Sequence, residues 1–137
     1  MKVKQLSAVL DDQSDNLAIL TKTLSSRGVD ITAMNVTKSG KFTVARMIVN
    51  NVLWATSALW EAGFTANLSD VLAAEIPPEP EGLAKVFEVL EDLGISVKYM
   101  YTVKNAAVLR LSDNAVGESV FEHAGIKLLT QGELSAL

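Results

Sequence analysis

The sequence predicts an α+β fold: two β-α-β-β-α-β modules in tandem, each an antiparallel sheet with its helices on one face. Three observations predict it. First, the chain matches itself at an offset of 66, which sets Leu6, Leu10, Leu17, Leu24, Gly28, Val29, Ile31 and Met34 on Leu72, Ile76, Leu83, Leu90, Gly94, Ile95, Val97 and Met100. Second, within each copy short strand-like runs alternate with segments whose apolar residues return at helical spacing. Third, the helical segments stop at glycines in matching places, Gly28 and Gly63 in the first copy and Gly94 and Gly125 in the second. The modules expected from the match are residues 1–70 and 71–137.

The elements follow in order. Residues 3–10 and 71–76 read as opening strands, the second stopped by Pro77 and Pro78, which have no N–H for a ladder. A helix follows each. Leu17, Leu20 and Leu24 form the stripe of the first, with Ser14 or Asp15 as its cap, and Leu83, Val86, Phe87, Leu90 and Leu93 form a fuller stripe in the second. Two hairpins are expected next: residues 29–37 and 42–49 joined through "KSGK", and 95–103 and 106–112 joined through the tighter "KN". Those two missing residues move the match to 64, where Arg46 meets Arg110; it then slips to 62, where Trp54, Ala58, Leu59, Gly63 and Phe64 meet Val116, Val120, Phe121, Gly125 and Ile126. The drift falls in loops, where length changes are best tolerated. Second helices over 52–62 and 115–124 lead to closing strands from Phe64 and Ile126. This order is the ferredoxin-like split β-α-β motif, so each copy is expected to form a four-stranded sheet. Helices on one side leave the other side of the sheets open, so self-association, as a two-fold homodimer, is expected.

Composition narrows the function. The chain has 137 residues, 49% of them hydrophobic, and no cysteine, which excludes disulfides, thiolate metal sites and cysteine nucleophiles. A net charge of −4 with singly scattered Lys and Arg offers no basic stripe, so nucleic acid is not an expected partner. The opening "MKVKQLSAVL" lacks the apolar run of a signal peptide and no segment approaches a membrane span, so a soluble cytoplasmic protein is expected. The single histidine, His123, has no serine or carboxylate at triad or metal-pair spacing, and "DDQSD" lacks the glycine and distal glutamate of a calcium loop. No phosphate-binding or dinucleotide fingerprint is present. No catalytic residue, metal or cofactor is therefore expected. Trp54 reads as a core residue of its helix and Trp60 as a surface residue marking a contact with another chain. Tyr99 and Tyr101 read as packing along one strand face, and Arg46 and Arg110 as outward-facing or interface residues.

The phrases "SDNLAIL…RGVDI" and "EPEGLAKVFEVLEDLGISV", each after a strand-like run, resemble the ACT domain, with its Pro-Gly-x-Leu turn and Gly-(Val/Ile)-(Asn/Asp)-Ile strand start. With "FTVARMIV", "VLAAEIP" and "GIKLLTQGEL", nearly the whole chain resembles small stand-alone proteins made of two ACT domains. The resemblance implies a non-catalytic regulatory protein that binds an amino acid or similar small ligand at module interfaces. It also implies a metabolic enzyme as a further partner. The family's ligand loop before the first helix matches Asp12, Gln13, Ser14, Asp15 and Asn16, and its residue at the next strand start matches Asp30. In the second copy the matching positions are Pro78, Glu79, Pro80, Glu81 and Gly82, with Ser96 at the strand start. Backbone N–H groups at a helix start suit a carboxylate, while Asp12, Asp15 and Asp30 suit an ammonium group. Asp15 and Glu81 stand where the family has its turn glycine, which leaves a second reading: a structural partner subunit of an enzyme complex with a degenerate ligand site.

Overall fold

The computed structural model describes residues 2–11 and 16–137; the expected cap residues Ser14 and Asp15 lie outside them. The element order is β1 (Val3–Asp11), α1 (Asn16–Ser26), β2 (Ile31–Ser39), β3 (Phe42–Val49), α2 (Val52–Glu61), β4 (Thr65–Glu75), α3 (Gly82–Glu91), β5 (Val97–Val103), β6 (Ala106–Leu111), α4 (Asn114–His123) and α5 (Gln131–Ser135). The β-α-β-β-α-β pattern runs twice, as tandem ferredoxin-like modules. Two compact units divide the chain, one of Lys4–Ser69 and one of Asp70–Leu137 with Lys2 and Val3.

In the unit Lys4–Ser69 the strands lie in the order β2-β3-β1-β4. Both β1 and β2 run antiparallel to β3, with Ala8 and Val36 each opposite Ala45. Alternation along β1 puts Leu6, Ala8 and Leu10 on one face. There they meet Leu20 and Leu24 of α1, Ala55, Ala58 and Leu59 of α2, and Met47 and Val49 of β3 in one apolar core. Full burial of each such leucine contributes on the order of 2 kcal/mol relative to exposure. Asn51 starts α2: its Oδ1 accepts from the Trp54 N–H at 3.0 Å, satisfying a donor the first turn leaves open.

The unit Asp70–Leu137 repeats the plan in the order β4-β6-β5, with Leu72 opposite Leu109 and Met100 also opposite Leu109. Its core joins Leu72 and Ala74 to Val86, Leu90, Leu109, Leu111 and Phe121. Asp113 caps α4 as Asn51 caps α2, its Oδ1 accepting from the Val116 N–H at 3.0 Å. Gly28, Gly63, Gly94 and Gly125 take positive φ of 75°, 87°, 70° and 75°, the left-handed position that closes a helix, as their spacing predicts.

Four expectations change. The strands expected from Phe64 and over 71–76 are one strand, β4, because no proline, glycine or turn sequence interrupts Thr65–Glu75. The strand expected from Ile126 reduces to a bridge between Ala74 and Leu128. The chain is diverted there by a capping box, in which Thr130 Oγ1 accepts from the Glu133 N–H while the Glu133 carboxylate accepts from the Thr130 N–H, so α5 forms instead. Trp54 is 63% exposed and its repeat partner Val116 46%, so neither is core. The buried stripe of α2 is Ala55, Ala58 and Leu59, and Trp54 lies one residue, about 100°, off it. Finally, the face of β4 and β6 turned from the second core is not open: Val71, Ala73 and Val108 are fully buried.

Candidate functional site

A concavity of the Lys4–Ser69 unit opens where β1 hands over to α1. It is a cavity of about 510 Å³ lined by Val9, Leu10 and Asp11 from the end of β1, Asn16 and Ile19 from the start of α1, Phe42 from the start of β3, and Ala62–Thr65. The chain comes together here for a local reason. Gly63, at φ 87°, turns the backbone sharply from α2 into β4 and brings Phe64 and Thr65 beside the end of β1. Val9, Ile19 and Phe42 are 37%, 51% and 49% exposed, an apolar wall left open to solvent. Asp11, Asn16 and Thr65 supply a carboxylate, an amide and a hydroxyl. A small molecule with one apolar arm and a charged or polar head matches such a lining.

Of the residues expected to bind ligand, Asn16 lines this cavity. Asp12, Gln13, Ser14 and Asp15 lie outside the described residues, between Asp11 and Asn16, which both line it. Asp30 is not part of the lining. Its backbone is clamped to Asn50: the Asp30 N–H donates to Asn50 Oδ1 at 2.9 Å and the Asn50 N–H donates to the Asp30 carbonyl at 3.2 Å, while the residue itself stays exposed. Ser96 repeats this clamp with Ser112, at 3.1 Å and 2.9 Å. Ser96 lines a second concavity of about 480 Å³ with Phe87, Ile95 and Met100, but Glu81 and Gly82 do not line it. Gly82 is buried, and a Cβ added there would overlap the Pro77 carbonyl oxygen, so the backbone before α3 closes on the helix start itself. Phe42, Ile19 and Thr65 are lining residues that sequence reasoning missed. An aromatic directly after the "KSGK" turn, and an isoleucine off the Leu17–Leu20–Leu24 stripe, were the available signals.

A family model described as an ACT domain pair matches residues 1–126. The chain belongs to the ACT domain pair family. Among solved structures, this ACT domain pair is similar to a protein of Bacteroides thetaiotaomicron at 30% identity, with 100% of this chain and 98% of that one covered and a TM-score of 0.92. It shares its fold with the regulatory subunit of aspartate kinase from Thermus thermophilus at 16% identity, 89% and 90% coverage and a TM-score of 0.61. The counterpart from Thermus flavus gives 16% identity, the same coverage and a TM-score of 0.59. No curated protein matches the chain.

The other residues weighed in the sequence fall outside the cavity. His123 is exposed, its Nδ1 2.8 Å from the Ser119 carbonyl one turn back. Arg46 donates to Thr37 Oγ1 at 3.0 Å. Tyr101 is buried, and Tyr99 on the same strand face is half-buried. Among the described residues, no three His, Asp or Glu side chains gather as metal ligands, and no helix is long and apolar enough to cross a membrane.

Proposed function

We propose that this ACT domain pair is a non-catalytic, cytoplasmic regulator that binds a small amino acid in the cavity at the β1–α1 junction. Its two functional modules are residues 1–70 and 71–137. The cavity carries the reading: an open apolar wall of Val9, Ile19 and Phe42 beside polar Asp11, Asn16 and Thr65, at the loop where the family binds its ligands. Asp12, Gln13, Ser14 and Asp15 fall between Asp11 and Asn16 in the sequence, and we assign the carboxylates of Asp12 and Asp15 to the ammonium group and the backbone N–H groups at the α1 start to the carboxylate. Asp30, at the following strand start, is assigned to a ligand held by a second copy of the chain. The second copy contributes less. Glu81, Gly82 and Ser96 occupy the matching positions, but the Pro77 carbonyl fills the approach to α3, which supports a single working site per chain.

The chain acts as a homodimer, alone or on a metabolic enzyme. Ligand shifts it toward one arrangement of paired modules only insofar as it binds that arrangement more tightly. The regulatory subunits of aspartate kinase that share the fold support a role of this kind. Titration calorimetry of the pure protein against the twenty amino acids tests it. One of them binds, and Asp12→Asn with Asp15→Asn weakens binding by about tenfold or more, the loss of about 1.4 kcal/mol. Silence across all twenty at millimolar concentration would retire the ligand reading and leave a structural partner subunit.

A further inference from the structure

Both tryptophans of the chain stand on α2, and neither is packed: Trp54 is 63% exposed, Trp60 62%, and Leu53 beside them 72%. The fold does not require them. In α4, which occupies the same place in the second copy, the matching residues are Ala115, Val116 and Glu122, and that helix caps and packs in the same way. Something other than the monomer's stability therefore accounts for two large indoles in water, since contiguous exposed apolar surface of this kind marks contact sites.

Their placement is symmetric. Trp54 lies three residues before Ser57 and Trp60 three after it, with Ala55, Ala58 and Leu59 between them turned into the core. A helix with this pattern, laid antiparallel on a copy of itself with Ser57 at the crossing, sets Trp54 of each copy against Trp60 of the other. Ser57 is small and exposed, so two backbones can approach closely there. Around it lies a hollow of about 270 Å³ lined by Arg27, Trp54 and Ser57. Trp60 is pre-set as well: its Nε1 donates to the Ala66 carbonyl at 3.1 Å, so the ring has already lost much of its freedom before any contact forms. Arg27 and Glu61 pair at 2.6 Å at the edge of the patch, so the flanking carboxylate meets its mate already neutralised.

We propose that α2 is a two-fold interface for a second copy of this chain, with Trp60 of each copy seated over the Arg27–Trp54–Ser57 hollow of the other. The inference rests on the reading above that the chain self-associates, and it names the surface. The two indoles and Leu53 expose roughly 400 Å² per copy. With Ser57 and the Arg27–Glu61 pair at the rim, the joint surface reaches roughly 1,000 Å², the size of a weak, reversible interface. Such a dimer dissociates on dilution. The guanidinium of Arg27 meets an indole face, a pairing that gains from exclusion of water.

Because no other tryptophan exists in the chain, tryptophan emission, excited selectively over Tyr99 and Tyr101, reads this face alone. Sedimentation velocity and emission spectra of the full chain are measured across a dilution series. The wild-type protein dimerises with a blue shift as concentration rises. Ser57→Arg places two like charges at the crossing, leaves the core untouched, and abolishes both changes or weakens association by at least tenfold, with circular dichroism unaltered. Glu122→Ala on the matching face of α4 has no effect. A Ser57→Arg protein that dimerises as the wild type does, with the same shift, overturns the α2 assignment while self-association stands. A wild-type chain that stays monomeric at every concentration overturns both, and the calorimetric test of ligand binding remains separate.

Discussion

Two glycines in helices show how a single atom is tolerated in one place and not in another. At Gly82 an added Cβ would overlap the Pro77 carbonyl oxygen, part of a backbone fixed by the two prolines at its side, so the strain has nowhere to go. At Gly117 it would overlap Leu111 Cδ1, the tip of a side chain that can rotate away. Gly82→Ala is therefore expected to cost roughly 1–3 kcal/mol in urea denaturation. Gly117→Ala costs less, because helix propensity returns up to about 1 kcal/mol. A second residue-level expectation concerns pH. The Thr130 N–H and then the Lys127 ammonium, 3.0 Å away, hold the Glu133 carboxyl below its ordinary value of 4.5. Hydrogen bonding to Glu133 in turn raises Lys127 above 10.5. A carboxyl whose folded pKa is depressed stabilises above its unfolded pKa and loses that contribution as pH falls through the folded value. The α5 capping box should thus persist at neutral pH and loosen only on acidification past the ordinary carboxylate range. An NMR titration of Glu133 with a midpoint below 4.5, returning toward 4.5 in Lys127→Ala, checks this.

Among the elements, the two second helices begin on the same device with different chemistry. Asn51 and Asp113 each accept from the N–H three residues on, both at 3.0 Å. Asn51→Ala and Asp113→Ala should each lower stability by about 1 kcal/mol, read as a shift in denaturation midpoint at constant slope. Most elements were legible because the evidence for them is local. Glycine at a helix end, an apolar stripe and a turn dipeptide each fix backbone geometry within a few residues, which is why α1 to α4 and both hairpins follow the sequence. The structure departs from the sequence reading where the deciding contact is remote, or where a short local device outweighs strand propensity. Trp54 looked internal by alignment with Val116, yet both are exposed, because aligning two copies cannot tell a shared core position from a shared surface one. The closing strand gives way to α5 because Thr130 and Glu133 form a reciprocal capping box. Cavity residues such as Phe42 and Thr65 come from turns distant in sequence, and only the folded chain places them beside Asn16.

For the whole molecule, a ligand that binds the folded chain and not the unfolded one stabilises it by mass action. At a hundred times the dissociation constant the gain is about 2.7 kcal/mol, so the amino acid found by calorimetry should raise the melting temperature by several degrees. The Asp12→Asn, Asp15→Asn protein should show little of that rise. Each compact unit has its own apolar centre, and β4 supplies both, with Ala66 in one and Leu72 and Ala74 in the other. These three residues share one parity along an unbroken strand. Deleting a single residue between Ala66 and Leu72 would reverse that parity and send the latter pair to the opposite side, whereas removing two would preserve it. Changes of length inside β4 are therefore expected to be accepted in steps of two, whereas the loops take odd ones.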